Sequence, residues 1–321
     1  MVTKYGRNIK IRMIKKILVF VYIFFSISIF SISVKRLEDV DYSEYNFYKN
    51  AYNLIKNSFN KPWLPINEIV GRLVTGVELT YRKEKFITQS QVEEINSELE
   101  PADILLRRLN WQMTNILITG FWKHSGIYLS NLEDLDLYFK DLEILNDEKF
   151  GDYLKRENYD AYLQLKSEEK VIIEGIHEGI VIKPIENMAL SDGFAALRPV
   201  LSKEEKFLIL MKSFSYLGKG YDYGFDIRTE EYLTCSELIF HAFNSVVEGF
   251  FKNSYLLNIP TFSPMDILEK FYEESKNKNV EPSLKFILFY DTSEKSAEAF
   301  KSTEEEFLET LYRNQFYYFF Y

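Results

Sequence analysis

The longest uninterrupted apolar segment of the chain covers residues 17–34, which carry no charged side chain. A cationic leader precedes this segment, and Lys35 and Arg36 follow it. As a helix it would span roughly 27 Å, close to the hydrocarbon core of a bilayer at about 30 Å. We therefore predict a membrane segment: either a retained anchor, which its length favours, or a cleaved signal peptide. Because flanking cations stay in the cytoplasm, the rest of the chain is expected outside it, in the periplasm or at the cell surface, or secreted if the signal is cleaved.

Alternation of apolar and polar positions predicts β-strands further along the chain. The predicted strands cover residues 103–106, 120–129, both arms of 171–185, and 285–290. In 171–185 the residues on either side of His177, Glu178 and Gly179 are β-branched, so this segment is predicted to be a hairpin with those three residues in its loop.

Helix starts are marked by capping residues. Ser202 with Glu205, and Thr234 with Glu237, have the spacing of a capping box. The first box opens a helix predicted to run to about Leu217, and the second opens a helix with an apolar stripe. Further helices are predicted to begin at Ser263 with Pro264, and to cover residues 294 to about 315. Strands mixed irregularly with helices predict an α+β fold.

Net charge excludes one class of partner. The formal charge of the chain is −9, and residues 1–36 contain eight Lys or Arg and no Asp or Glu, so the rest of the chain is more acidic still. Nucleic-acid binding depends on basic surfaces that neutralise phosphates, and no basic stripe runs along this chain. Nucleic acid is therefore not an expected partner.

Cys235 is the single cysteine of the sequence, which rules out an intramolecular disulfide and a Cys-rich metal site. It follows the predicted cap Thr234 and so falls in the first turn of a helix. There, free amides and the helix dipole favour a thiolate and lower the pKa of the thiol. Cys235 is thus a candidate nucleophile, the alternative being a small buried packing residue.

Three histidines could serve as its base. His241 lies on the same helix but points elsewhere at six residues' distance, and His177 lies in the predicted hairpin loop. His124 lies in an apolar strand, where burial of an imidazole without a hydrogen-bond partner would cost free energy. It is therefore the preferred candidate. Glu174 interrupts an apolar arm of the hairpin and is our candidate for orienting that imidazole, the alternative being a salt-bridged edge residue.

The ordered motifs of the chain resemble a known family. They are PADILLRR at 101–108, GFWKHSGIYL at 120–129, VIIEGIHEGIVIKPI at 171–185, LRPV at 197–200, GKGYDYGFD at 218–226 and YLTCSELIFHAF at 232–243. Together they resemble the permuted NlpC/P60 cysteine hydrolases of the YiiX/YaeF-like group, in which the histidine strand precedes the cysteine helix.

The resemblance implies a permuted papain-like fold, with a small antiparallel sheet packed against the helix that carries the cysteine. It also implies Cys235 as nucleophile, His124 as base and Glu174 as third residue, with no cofactor or metal. Tyr221 would line the site or assist the oxyanion, or else serve only in packing. Ala102 replaces the family's usual glycine, so we expect the turn there to avoid positive φ.

The resemblance covers roughly residues 98–270, and the organisation of the segments outside it is predicted from their own sequence pattern. Residues 1–36 form the leader with the anchor or signal, 37–97 a helical lead-in, 98–270 the catalytic domain and 271–321 a C-terminal extension. The aromatic tail of this extension is expected to dock on its own domain rather than on a membrane or partner.

Three functions remain open at this point. The first is an extracytoplasmic amidase or endopeptidase acting on peptides such as peptidoglycan fragments. The second is a lipid- or thioester-directed acyltransferase or esterase of the lecithin:retinol acyltransferase-like type, acting on acyl-lipids. The third is a non-catalytic binding module. In each case the protein would contact the membrane through residues 17–34.

Overall fold

The computed structural model describes residues 85–110, 112, 120–167, 171–256, 258–277, 279, 281–293 and 295–313. The predicted membrane segment at 17–34, most of the lead-in and the aromatic tail lie outside these residues, so the predictions made for them stay predictions. Within the described part of the chain no helix is both long enough and apolar enough to cross a bilayer.

Nine strands are present in the described residues. They are β1 (Ile104–Arg108), β2 (His124–Tyr128), β3 (Val171–Ile176), β4 (Gly179–Pro184), β5 (Gly193–Pro199), β6 (Ser254–Leu256), β7 (Ile259–Thr261), β8 (Leu284–Ser293) and β9 (Glu298–Ser302). Seven of them form one sheet in the order β4-β3-β2-β1-β5-β8-β9, and each neighbouring pair is antiparallel. The sheet is antiparallel, as predicted, but larger than expected, and β6 and β7 form a separate pair.

The described helices are α1 (Gln89–Glu98), α2 (Leu132–Tyr138), α3 (Phe150–Glu157), α4 (Tyr159–Ser167), α5 (Glu186–Ala189), α6 (Lys203–Phe214), α7 (Cys235–Asn244), α8 (Pro264–Lys276) and α9 (Glu304–Glu309). Short 3₁₀ turns occur at Glu143–Leu145 and Thr310–Tyr312. The helix predicted from Ser202 is confirmed, with its capping box, although it ends at Phe214. The mixed helix-and-sheet class is confirmed as well.

Both faces of the large sheet are covered by apolar packing. On one face, alternate strand residues such as Ile104 and Ile127 join side chains of α2, α3, α4, α6, α7, α8 and α9 in the larger core. On the other face, residues such as Leu105 and Tyr128 pack with α1 and α5. Side chains of a strand point to alternate faces, so neighbouring positions such as Ile104 and Leu105 contribute to different cores.

The predicted hairpin at 171–185 is confirmed. Strands β3 and β4 pair from Val171 opposite Pro184 to Ile176 opposite Gly179, which leaves His177 and Glu178 as the turn. Gly179 has a φ of +112°, and a Cβ there would stand 2.2 Å from the carbonyl oxygen of Lys219. Only glycine fits this position, because its backbone conformation and its neighbours both exclude a side chain.

The expectation that Ala102 avoids positive φ is wrong. Ala102 has a φ of +73° and lies third in a turn in which the Asp103 amide donates to the Glu100 carbonyl at 3.0 Å. Pro101 occupies the second position, so the turn has the type II pattern that requires a positive φ at Ala102. The Ala102 amide also donates to the Tyr128 carbonyl at 2.9 Å, and together these bonds hold a conformation that costs an alanine about 1 kcal/mol.

Arg198, from the LRPV motif, fixes this turn from the neighbouring strand β5. Its Nε lies 2.9 Å from Asp103 Oδ1 and its Nη2 lies 2.8 Å from Oδ2, while Nη1 donates to Glu100 Oε1 at 2.7 Å. Asp103 is fully buried, so this bidentate pairing neutralises a carboxylate in the protein interior. The PADILLRR and LRPV motifs therefore contain residues that hold this turn in place.

The single helix predicted over 294 to about 315 is wrong in its first half. Residues Glu298–Ser302 instead form β9, which pairs with β8 along the edge of the sheet, and the helix begins only after the cap Thr303. Lys301 of β9 reaches α1, where its Nζ lies 2.9 Å from Glu94 Oε1. Pairing with a neighbouring strand therefore outweighs the helical periodicity of the segment.

Candidate active site

Cys235 is the first residue of α7. Thr234 caps this helix: its hydroxyl accepts from the Glu237 amide at 3.2 Å, and the Thr234 amide donates to Glu237 Oε2 at 2.8 Å. The predicted capping box is thus confirmed. The N–H groups of Cys235 and Ser236, in the same turn, have no acceptor in the part of the chain that the structure describes. These amides and the helix dipole make the surroundings of the sulfur electropositive.

A glycine in β3 allows α7 to start close to the sheet. A Cβ on Gly175 would lie 2.9 Å from the Cys235 nitrogen and 2.9 Å from the Thr234 carbonyl carbon. Real Cβ atoms do not approach backbone atoms so closely, so any side chain at this position would displace the start of the helix. The absence of a side chain at residue 175 therefore sets where the sulfur lies.

His124 begins β2 and meets Glu174 from β3. Glu174 lies opposite Gly126 in the sheet, two residues along from His124, and the Nε2 atom of His124 hydrogen-bonds Glu174 Oε2. Glu174 is buried, whereas 12% of the His124 side chain is exposed. Because Nε2 is engaged by Glu174, Nδ1 is the ring nitrogen left for the thiol.

The surroundings favour a charged pair of Cys235 and His124. Burial would raise the pKa of the Cys235 thiol, but the charge of nearby His124 comes first among the opposing influences, with His124 and Ser125 as polar neighbours, and together they hold the pKa below its usual value. Burial and neighbouring Arg107 would lower the pKa of His124, but the thiolate and Glu174 outweigh them and raise it. Thiolate and imidazolium thus stabilise each other.

Glu174 remains ionised in its buried position. Burial would raise the pKa of this carboxyl, but the hydrogen bond and charge of His124, followed by the charges of Arg107 and Lys183, hold it below its usual value. The negative charge of Glu174 therefore stabilises the protonated ring and orients it at the same time.

Tyr221 is brought to the site by a loop that folds back on itself. Gly220 forms an isolated bridge with Tyr232, and the Leu233 amide donates to the Gly220 carbonyl at 3.0 Å. Tyr221 thus lies beside the chain that leads into Cys235. Burial, together with the negative charges of Cys235 and Glu237, raises the pKa of its phenol well above the usual value, so the hydroxyl keeps its proton and can donate it to an oxyanion.

Glu237 has a second property beyond capping. Burial and the nearby Asp222 raise the pKa of its carboxyl to about 8, although the Thr234 amide opposes the shift. Its Oε1 atom has no hydrogen-bond partner within the described residues. At neutral pH this carboxyl is therefore mostly protonated, and it adds little negative charge beside the thiolate.

The other two histidines lie outside the group. His177 is in the β3–β4 turn with 55% of its side chain exposed, and its Nε2 lies 3.9 Å from Glu178 Oε1. His241 Nδ1 lies 3.5 Å from Glu230 Oε1. The structure thus brings Cys235, His124, Glu174 and Tyr221 together and leaves His177 and His241 apart from them. The catalytic roles of Cys235, His124, Glu174 and Tyr221 stay predictions.

Two residues of the site were missed in the sequence. Ser125 follows His124 directly, and its contribution to the lowered pKa of Cys235 could have been suspected only from that adjacency. Arg107 lies opposite His124 in the sheet, but in the sequence it looks like an ordinary solvent-facing position of a strand. Among the described residues no cluster of three or more His, Cys, Asp or Glu side chains is placed to hold a metal ion.

Comparison with known proteins places this arrangement in a family. No curated protein matches the chain. A solved structure of YiiX from Escherichia coli O157:H7, described as a metalloprotein, is 14% identical, with 64% of this chain and 97% of that one covered and a TM-score of 0.34. The family model of the permuted papain-like amidase enzymes, YaeF/YiiX, C92 family, matches residues 98–284, more than half of the chain. The chain therefore belongs to this C92 family of permuted papain-like amidases, and it is a papain-like cysteine hydrolase.

Proposed function

We propose that the protein hydrolyses an amide bond through an acyl-thioester on Cys235. The observation that supports this most directly is the placement of the Cys235 thiol, whose pKa is lowered, at the start of α7 and beside His124, the ring of which is bound by Glu174. A thiolate at neutral pH is the species that attacks a carbonyl carbon, and a neighbouring imidazolium is the acid that a leaving amine needs.

The reaction proceeds in two steps. The thiolate attacks the carbonyl carbon and forms a C–S bond while the carbonyl electrons move onto oxygen. Collapse of this intermediate breaks the C–N bond, and His124 gives its proton to the departing amine. In the second step His124 takes a proton from water, the hydroxide attacks the thioester, and the acid leaves as the thiolate is regenerated.

The tetrahedral oxyanion has donors close by. The amides of Cys235 and Ser236 have no acceptor among the described residues, and the Tyr221 hydroxyl stays protonated. Donors fixed in place before the reaction stabilise developing charge more than solvent does, and each is worth about 3 kcal/mol of barrier. We assign the oxyanion to the α7 amides with assistance from Tyr221.

The apolar segment at 17–34 supports a location outside the cytoplasm, attached to the membrane unless the segment is cleaved. Peptides of the cell wall, such as peptidoglycan fragments, are then the substrate class we propose. Acyl-lipids are the alternative, and a test that offers both substrates separates the two functions.

Mass spectrometry of the intact protein tests the proposal directly. Because Cys235 is the only cysteine, an added acyl mass on a thiol identifies it without ambiguity. After brief exposure to purified cell wall, we expect a peptide-acyl adduct on the wild type, released fragments in solution, and neither in Cys235→Ala. An adduct from phospholipid vesicles instead would identify an acyl-lipid enzyme.

A reactivity control distinguishes an enzyme from a binding module. Cys235 of the wild type should react with iodoacetamide well below pH 8, and His124→Ala should react slowly there. If Cys235 reacts only after denaturation, the cysteine is a packing residue and the proposed function is wrong.

A further inference from the structure

Arg107 stands beside the reacting groups. It lies on β1 directly opposite His124 of β2, and directly opposed residues of an antiparallel pair project to the same side of the sheet. The residue is partly exposed, as is His124, so solvent reaches both side chains. Its charge acts on His124, Glu174 and Cys235.

The guanidinium group of Arg107 has N–H donors that bind no acceptor among the described residues. Its Nη1 donates to the Asn187 carbonyl of α5, and no carboxylate of the described residues forms an ion pair with it. Other buried or partly buried arginines beside the sheet differ. Arg108 donates to Asn110 Oδ1 and the Phe121 carbonyl, and Arg198 holds Asp103.

The guanidinium of Arg107 is placed to bind a ligand. Partial burial removes some of its hydration, so the N–H groups that bind no protein acceptor gain from an acceptor that arrives with a ligand. Two parallel N–H donors match the two oxygens of a carboxylate. The group most suited to this position is therefore a carboxylate that arrives with the substrate.

We propose that Arg107 binds a substrate carboxylate close to the scissile amide, which makes the enzyme selective for amides whose acyl or amine part carries an acidic group near the bond. This inference rests on the proposed function and names the substrate class for the same site. The net charge of −9 on the chain gives no general attraction for anions, so a preference for an anion at Cys235 would be a local property.

A matched pair of alkylating reagents tests the inference without knowledge of the substrate. Iodoacetate and iodoacetamide both transfer a CH₂ group to the thiolate with loss of iodide, and they differ only in carboxylate against carboxamide. The measured quantity is the ratio of their rate constants at Cys235, divided by the same ratio for glutathione. The ratio cancels changes in thiolate fraction, which affect both reagents equally.

Arg107→Gln should lower this ratio about five-fold or more, because the reagent carboxylate loses a charge-assisted hydrogen bond. Arg107→Lys keeps the positive charge but loses the two parallel N–H donors of the guanidinium. Its ratio should lie between those of the wild type and Arg107→Gln. Lys183→Gln is the control: Lys183 also acts on Glu174, but it pairs with Glu178 at 3.6 Å. It should leave the ratio unchanged.

Several results would overturn the inference. In one, Arg107→Gln slows both reagents equally, so Arg107 only positions or polarises the catalytic groups. In another, Lys183→Gln lowers the ratio as much as Arg107→Gln, so a diffuse field is at work. If Arg107→Gln does not fold, protection of the wild type against iodoacetamide decides: N-acetylglycine should protect Cys235 and N-acetylglycinamide should not, and equal protection would contradict the inference.

Failure of this inference is distinct from failure of the proposed function. If Cys235 resists both reagents in the native protein, the cysteine hydrolase itself is wrong. If Cys235 reacts rapidly but without an Arg107-dependent ratio, the hydrolase stands and the acidic substrate class is wrong.

Discussion

Gly175 of β3 and Cys235 of α7 are in such close contact that a methyl group on the glycine would lie 2.9 Å from the cysteine nitrogen. The position of Cys235 therefore depends on a strand residue 60 positions earlier in the chain. Helix and strand cannot separate here without moving the sulfur away from His124.

Gly175→Ala should reduce kcat on the order of 10- to 100-fold, because a small displacement of the reacting atom has a large effect on rate. Gly193→Ala, in the neighbouring part of the sheet, is the matched control, since its nearest contact would be an ordinary 3.4 Å. Steady-state kinetics and thermal unfolding of both variants provide the comparison. Wild-type kcat in Gly175→Ala would show that the helix start is free to shift.

Glu174→Gln should narrow the pH range of activity. The proposed ion pair exists above the pKa of Cys235 and below that of His124, and the hydrogen bond that His124 donates to Glu174 contributes to the raised pKa of His124. Without the negative charge the His124 pKa falls, so the alkaline limb of kcat/KM should move to lower pH while the maximum drops about ten-fold or more. Glu178→Gln, in the adjacent turn, should leave the profile in place. An unmoved alkaline limb would remove Glu174 from this role.

Glu237→Gln should stabilise the protein more at pH 8 than at pH 5. The carboxyl has a pKa of about 8 in the folded protein against an ordinary 4.5, so the folded state holds its proton more tightly and stability is lost as pH rises between these values. Glutamine still accepts from the Thr234 amide and has no charge to bury. Between pH 5 and pH 8 the gain in free energy of unfolding over the wild type should grow by roughly 3.5 kcal/mol, measured with urea.

Glu306→Gln provides the control for this experiment. Glu306 forms the same capping box with Thr303 on α9, but it is exposed and its pKa is lowered rather than raised. Its effect on stability should not change between pH 5 and 8. A Glu237→Gln gain that is equal at both pH values would show that Glu237 titrates normally.

Arg198→Met should cost about 3 kcal/mol of stability, because it leaves the fully buried Asp103 without its counter-charge. Urea unfolding at neutral pH measures the loss. Arg156→Met also removes an arginine bound to a carboxylate, with Nη1 at 2.6 Å from Glu148 Oε1, but on the surface. It should change stability little, and equal losses in the two variants would contradict the structural role of Arg198.

Local features of this protein were predictable because their causes are local. The capping box of Thr234 and Glu237 needs residues three apart, and the turn at His177 and Glu178 needs two flanking strands. His124 and Glu174 were chosen because polar groups in apolar strands need partners, and they prove to be each other's partner.

The remainder depends on contacts that no sequence window contains. The sequence alone suggests that Arg107 faces solvent, and only the pairing of β1 with β2 places it opposite His124. The sequence of β9 suggests a helix, and only the pairing with β8 makes it a strand. An alanine alone prefers negative φ, but Pro101 and the buried Asp103 impose a turn that requires positive φ at Ala102. In each case tertiary structure overrides an intrinsic preference.

Strand β5 is hydrogen-bonded on one side to β1 and on the other to β8, which begins at Leu284. While the chain is being synthesised, Cys235, His124, Glu174 and Tyr221 are all made before β8, the strand that pairs with β5. A nascent chain that stops after α7 would contain the complete site and still present an open, apolar edge to other molecules. Truncated products that lack β8 are therefore expected to aggregate through this edge.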